Sequence, residues 1–117
     1  MKTINKNDPK TDRVTGTSLN GYLHSEPSYN QLVEVLGEPT YMEESGDGKT
    51  NTEWVVEYKG EVFTIYDWKL WMSLKNSPNT SYRWHIGGKG SFFKDTPSSD
   101  EFIDELEAKL AVKNLLK

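Results

Sequence analysis

Apolar and polar residues alternate along two neighbouring runs in the middle of the chain, as they do in half-buried strands. The runs are Asn51–Tyr58 and a second one that begins at Glu61, with only Lys59–Gly60 between them. Two short alternating runs joined by two residues predict a β-hairpin. A two-residue turn would pair Val56 with Phe63 and Trp54 with Ile65. One face of the hairpin is then apolar and is the predicted core face: Trp54, Val56, Tyr58, Phe63 and Ile65.

The opposite face of the predicted hairpin mixes carboxylates with apolar and aromatic side chains: Glu53, Val55, Glu57, Val62, Thr64, Tyr66 and Trp68. After Trp68 the apolar residues change parity, and a strand with a side-chain period of two cannot do this without a bulge or an excursion. Lys69–Ser81 is therefore predicted to be an irregular insertion or an extended hairpin tip. The alternation returns at Tyr82, Trp84 and Ile86, a predicted third strand that Gly87, Gly88 and Gly90 end. Val14–Leu23 predicts a short edge strand.

Two helices are indicated by their capping residues and by their apolar stripes. Ser28 and Gln31 fit a capping box before Leu32, Val33 and Leu36, and Gly37 with Pro39 ends this short helix. Ser98 and Glu101 repeat the capping pattern before a longer helix. Its predicted core-facing stripe is Phe102, Ile103, Leu106 and Leu110, continued by Val112, Leu115 and Leu116.

These elements predict an α+β fold, with an antiparallel sheet of three to four strands, a short helix on its N-terminal side and a long C-terminal helix. Residues 1–13 are polar, lack periodicity and are predicted to be a flexible N-terminal arm. Residues 14–117 are predicted to form a single domain, which suits a chain of 117 residues.

Composition narrows the classes of function. The net charge of -4 argues against direct binding to duplex nucleic acid, since that needs a basic surface. The absence of cysteine excludes disulfides, thiolate nucleophiles and cysteine-ligated zinc. No apolar run approaches the roughly 20 residues that span a bilayer, and the N-terminal residues do not resemble a secretory signal. We therefore expect no membrane association and a cytoplasmic location.

Catalytic and metal chemistry find little support in the residues. His24 has no companion ligands, so an exposed loop histidine is the simpler interpretation. His85 and Asp67 bring a Ser-His-Asp arrangement to mind, but no serine lies in a nucleophile-elbow context. The loop at 43–54 places Trp54 where a calcium-binding EF-hand needs a glutamate. We therefore expect a protein that is not an enzyme and has no metal or cofactor.

Two groups of residues are candidates for binding a partner. The first consists of aromatic and neighbouring side chains: Tyr66, Trp68, Trp71, Arg83, Trp84 and His85. Exposed, they would suit a protein hot spot or a stacked nucleobase; alternatively, they cover the second sheet face beneath the N-terminal arm. The second group is the acidic face formed by Asp100, Asp104 and Glu107. It either imitates DNA phosphates for a nuclease or is a solvated helix face.

Several strings of residues belong to one pattern: GTSLNGY at 16–22, YNQLVEVLGEP at 29–39, GDGKTNTEW at 46–54, TIYDWK at 64–69 and WHIGG at 84–88. Together they resemble a family of small proteins carried by phages and prophages, over about residues 14–88. The resemblance transfers no functional residues. It implies a counter-defence protein that acts in the host cytoplasm by binding and blocking host machinery.

The leading hypothesis is a non-catalytic, anti-CRISPR-like inhibitor that occupies the surface of a host defence protein, with a CRISPR nuclease as one such target. The alternative is a sponge that sequesters a cyclic-nucleotide defence signal. In that case an aromatic ring would stack on the base and Arg83 or Lys69 would meet phosphate. The presence of only two arginines, Arg13 and Arg83, disfavours the sponge. The sequence leaves the oligomeric state open, a dimer included.

Overall fold

The computed structural model of the chain describes residues 1–14, 18–42, 52–68, 78–88 and 98–115. The strands are β1 (Lys2–Thr3), β2 (Ser18–Tyr22), β3 (Glu53–Tyr58), β4 (Glu61–Tyr66) and β5 (His85–Gly88). The α-helices are α1 (Tyr29–Leu36) and α2 (Ser99–Leu115), and a 3₁₀ helix covers Pro9–Val14. The strands form one sheet in the order β1-β3-β4-β5-β2, and every described pairing is antiparallel.

The α+β class is confirmed, and the sheet has five strands instead of the predicted three to four. The hairpin register is also confirmed, since Val56 pairs with Phe63 and Trp54 with Ile65. The turn residues have φ angles of 50° at Lys59 and 85° at Gly60. A type I′ turn needs a positive φ at both central residues, so lysine here adopts a conformation in which asparagine or glycine is more common.

The hydrophobic core lies between the predicted apolar face of the sheet and the two helices. It joins Trp54, Val56, Tyr58, Phe63, Ile65, Trp84 and Ile86 of the sheet side to Leu23, Tyr29, Leu32, Phe102, Ile103, Leu106 and Leu110. The indole N–H of Trp54 donates to the carbonyl oxygen of Gly37 at 2.9 Å, where α1 ends. The indole N–H of Trp84 donates to the carbonyl oxygen of Pro27 at 2.7 Å, just before α1 begins. Both ends of α1 are therefore tied to a buried tryptophan.

The helix boundaries follow the predicted caps. Ser28 and Gln31 make both hydrogen bonds of a capping box, and Gly37 follows α1 with a φ of 82°. The Ser98 hydroxyl accepts from the backbone N–H of Glu101 at 3.1 Å, at the start of α2. The predicted stripe of α2 is buried as far as Leu110, but Val112 is 56% exposed. Val112 is therefore not part of the core stripe, and the side chains of Leu115 and Leu116, which were predicted to continue it, lie outside the described residues.

The N-terminal segment, predicted to be a flexible arm, contains β1 and lies along the outer edge of β3. Ile4 is buried with Val55 and Val62 on the sheet face opposite the helices. Lys10 Nζ lies 3.2 Å from a carboxylate oxygen of Glu57 on the same face. The segment therefore covers this second face around Val55 and Val62. A two-residue strand is too short to show periodicity in the sequence.

β5 contains Gly87 and Gly88, which the prediction had taken as the end of the strand. A Cβ atom on Gly88 would lie 2.6 Å from Ser99 Oγ and 2.8 Å from Asn20 Nδ2. Glycine at 88 therefore lets the start of α2 approach the sheet closely. Most of the stretch that was predicted to be irregular, residues 69–77 of 69–81, lies outside the described residues.

Candidate binding surface

A row of side chains crosses the sheet on the face opposite the helices. The strand pairings place Tyr41 opposite Glu53, Glu53 opposite Tyr66, Tyr66 opposite His85, and His85 opposite Tyr22. Residues directly opposite each other in neighbouring strands lie on the same face. The row therefore runs from Tyr41 at one edge to Tyr22 at the other, with an acidic residue near one end.

His85 lies at the centre of a cluster of aromatic rings. Its ring centroid is 4.9 Å from that of Tyr22, 5.4 Å from Tyr66, 6.3 Å from Trp68 and 6.4 Å from Tyr82. Trp68 is 39% exposed, and the other members are half-buried. We call Tyr22, Tyr66, Trp68, Tyr82 and His85 the aromatic surface.

The sheet ends that carry the aromatic surface are fixed by hydrogen bonds. The backbone N–H of Trp68 donates to the Tyr82 hydroxyl at 3.0 Å, which joins the end of β4 to the segment before β5. The backbone N–H of Thr52 donates to Asp67 Oδ1 at 3.1 Å, and the N–H of Asp67 donates to the carbonyl oxygen of Thr52 at 3.3 Å. The rings are therefore presented on a framework that is already ordered.

Charge is distributed unevenly along the row. The Arg83 guanidinium carbon lies 4.0 Å above the ring of Tyr22, a cation–π arrangement at the β2 end. At the other end, burial raises the pKa of Glu53 to about 7, and the neighbouring carboxylate of Asp67 adds to this rise. Glu53 thus titrates close to neutral pH.

The pKa values of His85 and Tyr66 are shifted toward the neutral form of each group. Burial lowers the pKa of His85, as does Arg83, against an opposing effect of Asp67. Burial, followed by the negative charge of Glu53, raises the pKa of Tyr66. Within the part of the chain that the structure describes, the buried Nδ1 atom of His85 has no hydrogen-bond partner. The centre of the surface is therefore weakly solvated and uncharged at neutral pH.

The structure gathers four of the predicted binding residues in this place: Tyr66, Trp68, Arg83 and His85. Trp84 is 0% exposed in the core, so it has to be removed from the predicted binding residues. Its position one residue before His85 turns its side chain toward the helices. Trp71 lies outside the described residues.

The sequence did not indicate that Tyr22, Tyr41 and Tyr82 belong to this region. It placed Glu53 on the correct face of the hairpin but assigned no function to it. Tyr22 reaches the cluster only because β2 pairs with β5, and its partner strand was not evident from the sequence. Tyr41 reaches the row through an isolated bridge to Glu53 in a stretch without strand periodicity.

The predicted acidic face of α2 is only partly open. Asp100 and Asp104 are exposed. Glu107 Oε1 accepts from the backbone N–H of His24 at 2.9 Å and of Ser25 at 3.2 Å. Glu107 therefore helps to hold the loop after β2. A carboxylate oxygen that already accepts these two hydrogen bonds is less available for the predicted contact with a partner.

Among the described residues, no group of three or more His, Asp or Glu side chains is placed to hold a metal ion. Within the same ranges, no helix is long and apolar enough to cross a membrane. Comparison of the chain with protein-family models, curated proteins and solved structures finds no match.

Proposed function

We propose that this chain is a non-catalytic binding protein that attaches to a partner protein through the aromatic surface. The observation that carries this proposal is the gathering of the half-buried rings of Tyr22, Tyr66 and His85 on the sheet face away from the helices, with the exposed ring of Trp68 and Arg83 beside them. Tryptophan, tyrosine and arginine are the residues most enriched in protein hot spots. Rings that are already packed against each other lose little conformational entropy when a partner covers them.

The partner class that we propose is a host defence protein, a CRISPR nuclease included, which the chain would inhibit by occupying its surface in the host cytoplasm. This part of the proposal is supported by the resemblance of five strings of residues to phage and prophage proteins. The exposed carboxylates of Asp100 and Asp104 would form a second contact area, and the net charge of -4 suits a basic nuclease groove.

The test is native mass spectrometry of tagged protein recovered from defence-active, phage-infected host cells. We expect a host protein at fixed stoichiometry with the wild-type chain. Trp68→Ala should lose it, because Trp68 is the most exposed ring of the aromatic surface. Val112→Ala is the matched control, since Val112 is an exposed apolar residue on α2, away from that surface. Retention of the partner by Trp68→Ala, or its loss from the control as well, would contradict the proposal.

The acidic face has its own test. Asp104→Lys reverses an exposed charge that has no described hydrogen bond or ion pair, so the fold should survive. Loss of inhibition in a phage plating assay would support contact through α2, and unchanged inhibition would remove α2 from the interface. Glu107→Lys is a poorer probe because it also removes the acceptor for the loop after β2.

The nucleotide sponge remains a second candidate on one observation, the Arg83 guanidinium stacked beside half-buried aromatic rings. Such a group pairs with phosphate while a ring stacks on the base. Tryptophan fluorescence distinguishes the two candidates: a change on adding cyclic nucleotides, lost in Trp68→Ala, would favour the sponge. A flat signal would leave the protein-binding function.

A further inference from the structure

We infer that the partner inserts a positively charged side chain, lysine or arginine, at Glu53, between Tyr41 and Tyr66. This inference rests on the proposed function, since it names the chemistry that the row of side chains selects in a partner protein. The group recognised at Glu53 is a cationic side chain and not a phosphate.

The geometry of the row gives Glu53 aromatic neighbours on both sides. Tyr41 and Tyr66 are its partners in the two adjacent strands, so all three side chains leave the same face of the sheet. Tyr41 is 38% exposed, and Tyr66 and Glu53 are half-buried. A carboxylate flanked by aromatic rings is a favourable environment for a cation, which gains from the negative ring faces and from the charge.

Among the described residues, no cation forms an ion pair with Glu53. Within the described ranges its carboxylate makes neither a hydrogen bond nor an ion pair. Glu57, the other acidic residue on this face of β3, is paired with Lys10 at 3.2 Å. Arg83 lies at the far end of the row, where it stacks on Tyr22. Of the charged residues that the structure describes along the row, Glu53 is therefore the one with room for a cation from a partner.

Burial without a counter-charge is costly for the ionised form of Glu53, and Asp67 nearby increases that cost. A guanidinium or ammonium group from a partner would supply the missing counter-charge and displace the proton. The carboxylate of Glu53 would repel the phosphate of a nucleotide. Charge complementarity thus favours a basic side chain at the Glu53 end of the row.

The probes are N-acetyl-arginine methylamide and its neutral isostere N-acetyl-citrulline methylamide, titrated into isotopically labelled wild-type protein and followed by NMR. We expect the arginine probe to shift the signals of Tyr41 and Tyr66 with an affinity at least about fivefold higher than that of citrulline. It should also lower the pKa of Glu53, measured from its carboxyl carbon. Glu53→Gln should abolish the preference for arginine while the rings stay in place.

Equal binding of the two probes, an arginine preference that survives Glu53→Gln, or tighter binding of adenosine monophosphate at the same signals would overturn the inference. The capture experiment separates its failure from that of the proposed function. If Trp68→Ala loses the host partner but Glu53→Gln keeps it, the aromatic surface is the interface and the cation is not recognised. If neither variant loses the partner, both proposals fail.

Discussion

Replacement of Glu53 with glutamine removes a carboxyl group whose titration should make the stability of this protein depend on pH. Its pKa in the folded protein is about 7, above its ordinary value of 4.5, because of burial and of the nearby Asp67. Between these values the unfolded chain has released the proton while the folded protein retains it. The free energy of unfolding therefore falls as the pH rises through this range. Below pH 4.5 both states are protonated, and the group has no effect.

The magnitude follows from the size of the change in pKa. A difference of one in pKa corresponds to about 1.4 kcal/mol, so a rise from 4.5 to about 7 sets an upper bound of about 3 kcal/mol. Glu53 is half-buried and keeps some contact with solvent, which reduces the expected loss to about 2 kcal/mol. Glutamine has nearly the same shape and cannot ionise. Glu53→Gln should therefore be about 2 kcal/mol more stable than the wild type at pH 8 and nearly equal to it at pH 4.5.

Urea denaturation followed by tryptophan fluorescence at several pH values between 4.5 and 8 measures this difference directly. Asp104→Asn is a suitable control, because it removes an exposed carboxylate on α2 that lies away from the row. We expect the control to shift the midpoint equally at both ends of the range. A Glu53→Gln variant whose stability runs parallel to that of the wild type across the whole range would refute the reasoning.

The remaining predictions concern the framework beneath the aromatic surface, and urea denaturation measures each of them. Gly88→Ala should cost about 2 kcal/mol, because its Cβ would lie 2.6 Å from Ser99 Oγ; an unchanged midpoint would contradict the close approach of α2. Trp84→Phe should cost about 2–3 kcal/mol by leaving the carbonyl oxygen of Pro27 without its donor and opening a cavity. Glu107→Ala should cost about 1 kcal/mol and Glu107→Gln less, because the amide oxygen still accepts from the loop after β2; equal losses would argue against this hydrogen bonding.

Local patterns in the sequence were enough to predict the elements whose determinants are near neighbours in the chain. The capping box at Ser28 and the hairpin register around Lys59–Gly60 each depend on residues a few positions apart. The alternation in β3 and β4 also separated the core face from the mixed face correctly, since both strands are long enough to show it.

The parts that escaped prediction depend on contacts between distant segments. β1 is two residues long, and only its pairing with β3 makes it a strand. The alternation at Tyr82, Trp84 and Ile86 already puts Trp84 and His85 on opposite faces, but an amphipathic ring suits either a core or a binding surface, so the pattern alone did not remove Trp84 from the binding residues. The strand pairing decides this, because Ile86 lies opposite Ile65 in the core and His85 lies opposite Tyr66 on the other face.

The pairing of β2 with β5 has a consequence for how the protein is made. Tyr22 belongs to the first quarter of the chain and His85 to the last third, yet they are direct partners in the sheet. Contacts between such distant residues form slowly and late in folding. During synthesis the β3–β4 hairpin can form early, but the aromatic surface stays incomplete until β5 has emerged from the ribosome. A nascent or truncated chain that ends before His85 would therefore lack the complete aromatic surface, and under the proposed function it could not bind the partner, whatever local structure it had already acquired.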